Sequence, residues 1–305
     1  MRLPLTVLLP LSAVLLASCG GTPSPVAATV FPATPAAQPT RTLAAQATPP
    51  LRLPPAGKLA WDWQIGAATE AKVALPAGVS LLDLDGFETS AAKVADLKAQ
   101  GVYTVCYLNV GSYESYRPDA AQYPDSLKIQ TDPNWPDESF VDIRDVFREG
   151  GVLAGILDRR LALCAAKGFD AVEPDNLQND QNVTSGVISR QDQLDFNGWL
   201  ADRAHAHGLA ILQKNGPDYV LQADRQGRLM VDLFDGVLNE SCQRYKECGP
   251  LTEYVRRGKL ALNVEYRQAD LNCATMNSLG VNALFKDLSL VGKLQKAYKR
   301  VSCTG

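Results

Sequence analysis

Gly168-Phe169-Asp170-Ala171-Val172-Glu173-Pro174-Asp175-Asn176 holds the repeating unit of this chain. Gly168 stops an amphipathic segment that runs from Asp145 to Lys167, as a glycine just past the last helical turn does. A short strand follows over residues 171–173 and ends in carboxylates and an asparagine. Moving outward in both directions, the same order returns. Short apolar runs at 59–65, 79–84, 103–110, 210–212, 236–238, 260–264 and 283–285 read as strands. Helical patterns lie between most of them. Residues 90–100 carry Val94 and Leu97 on one side and stop at Gly101. Residues 190–207 place Phe196, Trp199 and Leu200 at i, i+3 and i+4 before Gly208, and residues 251–257 stop at Gly258. Strands alternating with helices predict an α/β fold, a single-domain (β/α)8 TIM barrel. The connection over 66–78 is short, so the first helix is expected to be missing or reduced. An open doubly wound sheet is the competing arrangement, but no glycine-rich phosphate loop follows the first strand.

The chain opens differently. Arg2 and an apolar run from Leu3 to Leu16 lead into Leu16-Ala17-Ser18-Cys19, the form of a bacterial lipobox. The run is shorter than the ~20 apolar residues a membrane-spanning helix needs. Residues 1–18 therefore read as a lipoprotein signal peptide cut before Cys19, the expected site of lipidation. Residues 19–57 read as a linker: nine of the 19 prolines fall within 20–57, with many Ala and Thr and no acidic residue. Its reach lies between roughly 30 Å as a coil and roughly 120 Å fully extended. Residues 58–305 are then the folded domain. The expectation is an extracytoplasmic monomer, held at a bacterial cell membrane through its lipid alone.

Removing residues 1–18 takes Arg2 from the 30 Lys and Arg, leaving 29 basic against 33 acidic residues, a net charge of −4. That balance argues against nucleic acid, which wants a basic stripe. It suits a neutral or cationic ligand. Six cysteines remain, an even count that permits disulfides in an oxidising compartment. Cys242 and Cys248 flank one loop and form the favoured pair; Cys273 with Cys303 is a second candidate. Cys106 sits in an apolar strand and reads as a small buried thiol.

In a barrel, function gathers at the C-terminal ends of the strands. Here those ends are polar: Asp83-Leu84-Asp85, Asn109 with Gly111-Ser112-Tyr113-Glu114, Glu173-Pro174-Asp175-Asn176, Lys214-Asn215, Asn239-Glu240, Glu265-Tyr266 and Lys286-Asp287. Any one of them is most often a cap or a turn, but the whole set converges on one mouth. Two carboxylates across a cleft are what glycoside hydrolysis needs, one to protonate the leaving oxygen and one to attack or to activate water. Trp61, Trp63, Tyr107, Tyr113, Tyr116, Trp135, Tyr245 and Tyr266 supply rings on which the CH faces of sugars stack. The only histidines, His205 and His207, do not share a helix face, which argues against a His-based metal site or a local Ser-His-Asp triad. The cysteines lack CxxC spacing. No cofactor and no metal are expected, a carboxylate-only Ca²⁺ or Mg²⁺ site being the one metal chemistry left open.

These residues resemble glycoside hydrolase family 114, the endo-α-1,4-polygalactosaminidase family with a TIM-barrel domain. The matching pieces run in order through nearly the whole domain: Trp61-Asp62-Trp63-Gln64, Asp83-Leu84-Asp85, Cys106-Tyr107, Gly111-Ser112-Tyr113-Glu114, Arg117-Pro118-Asp119-Ala120, Asp142-Ile143-Arg144, Val172-Glu173-Pro174-Asp175-Asn176, Asp192-Gln193 with Asn197, Lys214-Asn215, Asn239-Glu240-Ser241-Cys242 with Tyr245 and Glu247-Cys248, and Glu265-Tyr266. Ser241 and Asn109-Val110-Gly111 depart from the family's usual residues without touching the carboxylates. The resemblance implies hydrolysis within chains of α-1,4-linked galactosamine, with Asp175 and Glu240 as the catalytic pair. By physical argument Asp175 is the expected nucleophile, kept ionised by Lys214 and Asn215. Glu240 is the expected acid/base and must carry a proton part of the time. A retaining outcome is expected, with the carboxyl groups about 5–5.5 Å apart; about 6.5–9.5 Å would indicate inversion. Glu173, Asp85 and Glu265 are placed to hold the amine of a cationic amino-sugar polysaccharide. Trp63, Tyr107, Tyr113, Asn176, Lys214 and Asn239 complete the expected substrate site. Arg117 and Arg144 are expected to orient carboxylates.

Overall fold

The computed structural model describes residues 51–303. The expected signal peptide, Cys19 and most of the expected linker lie outside these residues. The chain forms β1 (Trp61–Trp63), β2 (Leu81–Asp85), α1 (Ala91–Ala99), β3 (Tyr103–Asn109), β4 (Ser112–Glu114), β5 (Lys128–Thr131), β6 (Glu138–Val141), α2 (Leu153–Lys167), β7 (Ala171–Asp175), α3 (Asn179–Asn182), α4 (Arg190–Ala206) and β8 (Ala210–Lys214). It continues through α5 (Met230–Leu233), β9 (Gly236–Glu240), α6 (Cys242–Tyr245), α7 (Thr252–Arg256), β10 (Leu260–Glu265), α8 (Cys273–Leu279), β11 (Asn282–Lys286) and β12 (Arg300–Ser302).

One sheet runs β1-β2-β3-β7-β8-β9-β10-β11-β12. Its first eight members are parallel and coincide with the eight expected strands; β12 pairs antiparallel with β11. This is the (β/α)8 TIM barrel. The expected weak first helix is a single 3-10 turn, Glu70–Lys72. The other caps follow their sequence signals. Ser90 accepts from the Lys93 amide at the start of α1, and Ser189 and Asp192 form a reciprocal capping box on α4. Gly168 ends α2 in a left-handed turn, φ 86°, which a side chain would strain.

Strand alternation divides the barrel wall into two faces. Trp61, Trp63, Leu81, Val105, Ala171, Leu212, Leu238, Leu262, Val264 and Leu284 belong to an interior cluster. Their neighbours Leu82, Leu84, Cys106, Leu108, Val172, Ile211, Val237 and Ala261 join the larger cluster that packs the helices outside. The interior face turns polar toward the strand ends, where Asp83, Glu173, Lys214 and Glu240 follow in the same alternation.

Among the described residues no ladder joins β1 to β11. Side chains make that seam. Trp61 Nε1 donates to the Asn282 carbonyl at 2.8 Å, the Leu59 amide donates to Asn282 Oδ1 at 3.0 Å, and Arg300 Nε donates to the Trp61 carbonyl at 2.9 Å. The chain is already docked at Arg52, whose guanidinium pairs with Asp170 at 3.1 Å and whose carbonyl accepts from the Tyr103 hydroxyl at 2.7 Å.

Three disulfides are formed, Cys106–Cys164, Cys242–Cys248 and Cys273–Cys303. The last two are the expected pairs. Cys106 is not a free thiol: it faces outward from β3 onto α2, where Cys164 meets it. A second sheet was not foreseen. The antiparallel β4-β6-β5 is inserted after β3 and stands beside the barrel mouth.

Candidate active site

Asp175, Lys214 and Glu240 are the last residues of β7, β8 and β9, three adjacent barrel strands. The residue after each turns left-handed: Asn176 (φ 63°), Asn215 (φ 52°) and Ser241 (φ 60°). Such angles are uncommon outside glycine, and asparagine tolerates them best. Three of them along one rim are backbone strain concentrated at a site. The β3–β4 turn is pressed against the same rim. Gly111 and Val110 donate their amides to the Asp175 carbonyl, and a Cβ on Gly111 would lie 2.1 Å from the Asn176 carbonyl oxygen. Only glycine fits there.

Lys214 is buried among three carboxylates. Its Nζ lies 3.0 Å from Asp175 Oδ1, 2.9 Å from Glu173 Oε1 and 3.4 Å from Glu240 Oε2. The contact with Glu173 is an ion-pair separation without hydrogen-bond alignment. The Trp63 ring centroid is 4.6 Å from the same ammonium. Burial works against the charge on Lys214, yet Asp175, Glu173 and Glu240 outweigh it and hold the ammonium well above its ordinary pKa.

Below this layer carboxylates outnumber cations. Burial pushes Glu173 up to about 8; Lys214 opposes the rise, while Asp175 and Glu240 add to it. Burial, reinforced by Glu173, raises Asp83 well above the carboxylate range. Burial thus favours the protonated form of both Asp83 and Glu173.

Asp175 Oδ2 accepts from the Tyr107 hydroxyl at 3.2 Å. Glu240 Oε1 accepts from the Tyr266 hydroxyl, and Oε2 accepts from Asn215 Nδ2 at 2.8 Å. Asn215 therefore serves Glu240, not Asp175 as expected. Its left-handed turn aims the side chain at the next strand, where its Oδ1 also accepts from the Glu240 amide at 2.8 Å. Burial raises both tyrosines well above their ordinary range, with Asp175 adding to this at Tyr107 and Glu240 at Tyr266, so both remain donors.

These groups line a cleft of about 700 Å³, shared by Trp63, Asp85, Tyr107, Asn176, Asn215 and Tyr266. Four expected residues stand elsewhere. Glu173 lies one layer down the barrel, under Lys214. Asn239 and Glu265 fall on the opposite strand face from Glu240 and Val264. There Asn239 Nδ2 donates to the Glu240 carbonyl at 3.0 Å, and Glu265 Oε1 accepts from Asn263 Nδ2 and the Gln243 amide at 2.9 Å. Tyr113 packs edge-on to Tyr123, with Lys128 Nζ 4.0 Å from its ring centroid. Asp85 does line the cleft, but Arg117 Nη1 already pairs with it at 2.8 Å. Arg117 also pairs with Glu114, and Arg144 with Asp142, as carboxylate-orienting arginines should.

The inserted sheet supplies a wall that strand-end reasoning missed. Tyr116, Asp132, Trp135 and Glu138 line the cleft from it. Burial pushes Glu138 up to about 7; the Ser112 hydroxyl opposes this, and the carboxylates of Glu114, Asp175 and Asp132 add to it.

Comparison with known proteins identifies the family and the fold. The family model "Glycoside-hydrolase family GH114" matches residues 40–305. No curated protein matches the sequence. Among solved structures, the chain is similar to Aspergillus fumigatus Ega3 in complex with galactosamine, at 24% identity over 79% of this chain and 96% of that one, TM-score 0.68. It is also similar to the glycoside hydrolase domain of PelA from Pseudomonas aeruginosa, at 16% identity over 80% and 98%, TM-score 0.59. Those likenesses confirm the barrel. With the family model spanning the whole folded domain, the chain belongs to glycoside-hydrolase family GH114 and is a glycoside hydrolase.

Proposed function

We propose that the protein cleaves inside chains of α-1,4-linked galactosamine-containing polysaccharide, with Asp175 as nucleophile and Glu240 as general acid/base. The observation that carries this reading is the single ammonium of Lys214, within 3.0 Å of one carboxylate and 3.4 Å of the other. The two bound oxygens can be no farther apart than those separations laid end to end. Sharing one ammonium draws the pair together, which suits the closer spacing of retaining enzymes, about 5–5.5 Å, better than the about 6.5–9.5 Å that leaves room for a water. Lys214 and the Tyr107 hydroxyl surround Asp175 with a cation and a donor, the setting of a nucleophile. Asp175 would attack the anomeric carbon as Glu240 passes its proton to the departing glycosidic oxygen. Glu240 would then take a proton from water, whose oxygen displaces Asp175 and frees the sugar.

The choice of polymer follows the likeness to a protein solved with galactosamine and the acidic character of the cleft. A volume of about 700 Å³ holds a ligand of drug size, more than one sugar ring, which suits internal cleavage of a chain. The three disulfides suit an oxidising, extracytoplasmic setting, in line with lipidation at Cys19 and a spacer leading to the folded domain, which the docking of Arg52 extends back from the expected 58–305.

Digestion of partly deacetylated α-1,4-galactosaminogalactan by the purified protein tests the reading, beside Asp175→Asn and Glu240→Gln. Release of oligosaccharides by wild type, lost in both folded variants, is the expected result. Intact polymer with wild type would sink it and point to another amino-sugar polymer.

A further inference from the structure

The inserted sheet places two aromatic rings and one carboxylate on the same cleft wall. Trp135 sits in the β5–β6 turn and is 65% exposed; Tyr116 follows β4 and is 61% exposed. Large rings so open to water, lining a cleft beside paired carboxylates, await a ligand with an apolar face. Arg117 covers one side of Tyr116, its guanidinium 5.2 Å from the ring centroid. Glu138 opens β6 and is tied to Trp135 by the backbone, its amide donating to the Trp135 carbonyl at 2.9 Å.

Glu138 is 8% exposed, and no lysine or arginine pairs with it among the described residues. Of the other cleft carboxylates, Glu88 is exposed and Asp132 Oδ1 accepts from the Asn134 amide at 2.8 Å, while three are ion-paired. Asp85 has Arg117, and Asp175 and Glu240 share Lys214. Glu138 Oε2 accepts from Ser112 Oγ at 2.8 Å and Asn109 Nδ2 at 3.0 Å. Its Oε1 has only the Tyr116 hydroxyl, at 3.4 Å, and that hydroxyl bonds Glu114 more closely, at 2.9 Å. One oxygen of a buried carboxylate therefore faces the cleft with a weak partner and no counter-charge. Burying such a group is costly unless a cation arrives to pair with it.

We propose that Tyr116, Trp135 and Glu138 form a sugar subsite beside the Asp175–Glu240 pair, which selects a hexosamine whose amine is free over one whose amine is acetylated. This rests on the hydrolase reading above. The rings hold the sugar's CH face, and Glu138 Oε1 accepts from the ammonium in a charge-assisted hydrogen bond. Acetylation removes the charge and adds bulk at the atom that Glu138 would meet. The amine-reading role expected of Asp85, Glu173 and Glu265 moves to Glu138, a buried cleft carboxylate with no ion pair and only a weak partner on one oxygen.

Titration calorimetry tests it, with a tetramer of α-1,4-galactosamine and its fully N-acetylated counterpart as probes, in a Glu240→Gln background that prevents turnover. Adding Glu138→Gln, which keeps the shape of the side chain, should weaken the free-amine tetramer roughly tenfold and leave the acetylated one unchanged. Adding Trp135→Ala should weaken both by a similar factor, because stacking ignores the amine. Trp135 is at the surface, so this variant keeps its fold. Equal weakening of both tetramers by Glu138→Gln, no weakening by either substitution, or no binding of the free-amine tetramer overturns the subsite. The hydrolase reading is judged separately, by wild-type digestion of polymer.

Discussion

Asn215 grips Glu240 twice: its Nδ2 donates to the carboxylate at 2.8 Å, and its Oδ1 accepts from the backbone amide at 2.8 Å. The amide group of one side chain thereby fixes both the rotamer and the strand end that carries Glu240. Asn215→Gly keeps the left-handed backbone and deletes the grip. We expect kcat to fall roughly 10- to 100-fold while the melting temperature holds. Asn215→Ala should lose as much activity and also lose stability, since alanine at φ 52° is strained. Steady-state kinetics with thermal melts on both variants checks this; unchanged kcat in Asn215→Gly would remove Asn215 from the machinery.

Gly111→Ala is expected to damage catalysis from outside the cleft. Its methyl would meet the Asn176 carbonyl oxygen at 2.1 Å, and backbone atoms cannot rotate away. The rim carrying Asp175 must shift. Activity should drop at least about tenfold, because displacements near 1 Å cost on the order of a hundredfold in rate. Rate measurements on the soluble, folded variant decide it.

Glu173 sets a direction for stability against pH. Its folded pKa of about 8 stands above the ordinary 4.5, so the fold favours the protonated form. Its contribution is complete below about 4.5 and is lost as pH rises through about 8. Unfolding midpoints should therefore decline across that window. In Glu173→Gln the decline should flatten, with the variant gaining on wild type toward pH 8. Chemical denaturation at a series of pH values reads the slope; an identical slope in both proteins would refute the assignment.

The disulfides should differ in worth. Cys106–Cys164 spans 58 residues and Cys242–Cys248 spans 6. Loop-closure entropy gives about 4 kcal/mol for the first and about 2 kcal/mol for the second. Replacing each pair by alanines and comparing denaturation midpoints should rank them in that order.

The barrel was legible because its strands are short and apolar with polar residues after them, and the longer helices α1, α2 and α4 start at a good cap or stop at glycine. Asp175, Lys214 and Glu240 were legible for the same reason. Asn239 and Glu265 were misread by one position. Counting by twos from Leu238 to Glu240, and from Val264 to Tyr266, puts both on the helix-facing side. Glu173 obeys that count, but its depth depends on strand stagger, which no local pattern encodes. The link from Cys106 to Cys164 depends on which helix covers which strand. Lys128–Thr131 and Glu138–Val141 are four-residue strands between turns, too short for a periodic signal, so Glu138 escaped notice with them.

The side-chain seam gives this ring of staves a clasp. Asn282 fastens it from three directions, taking the Leu59 amide and Trp61 indole and giving its own Nδ2 to the Gly57 carbonyl at 2.9 Å. Everywhere else around the ring, staves are joined by continuous ladders. At the clasp the Tyr298 hydroxyl adds a rivet, donating to Asp62 Oδ2 at 2.8 Å. The staves bearing Asp175, Lys214 and Glu240 stand away from the clasp, so the reacting groups are held in register by ladders on both sides and owe their spacing to no side-chain joint.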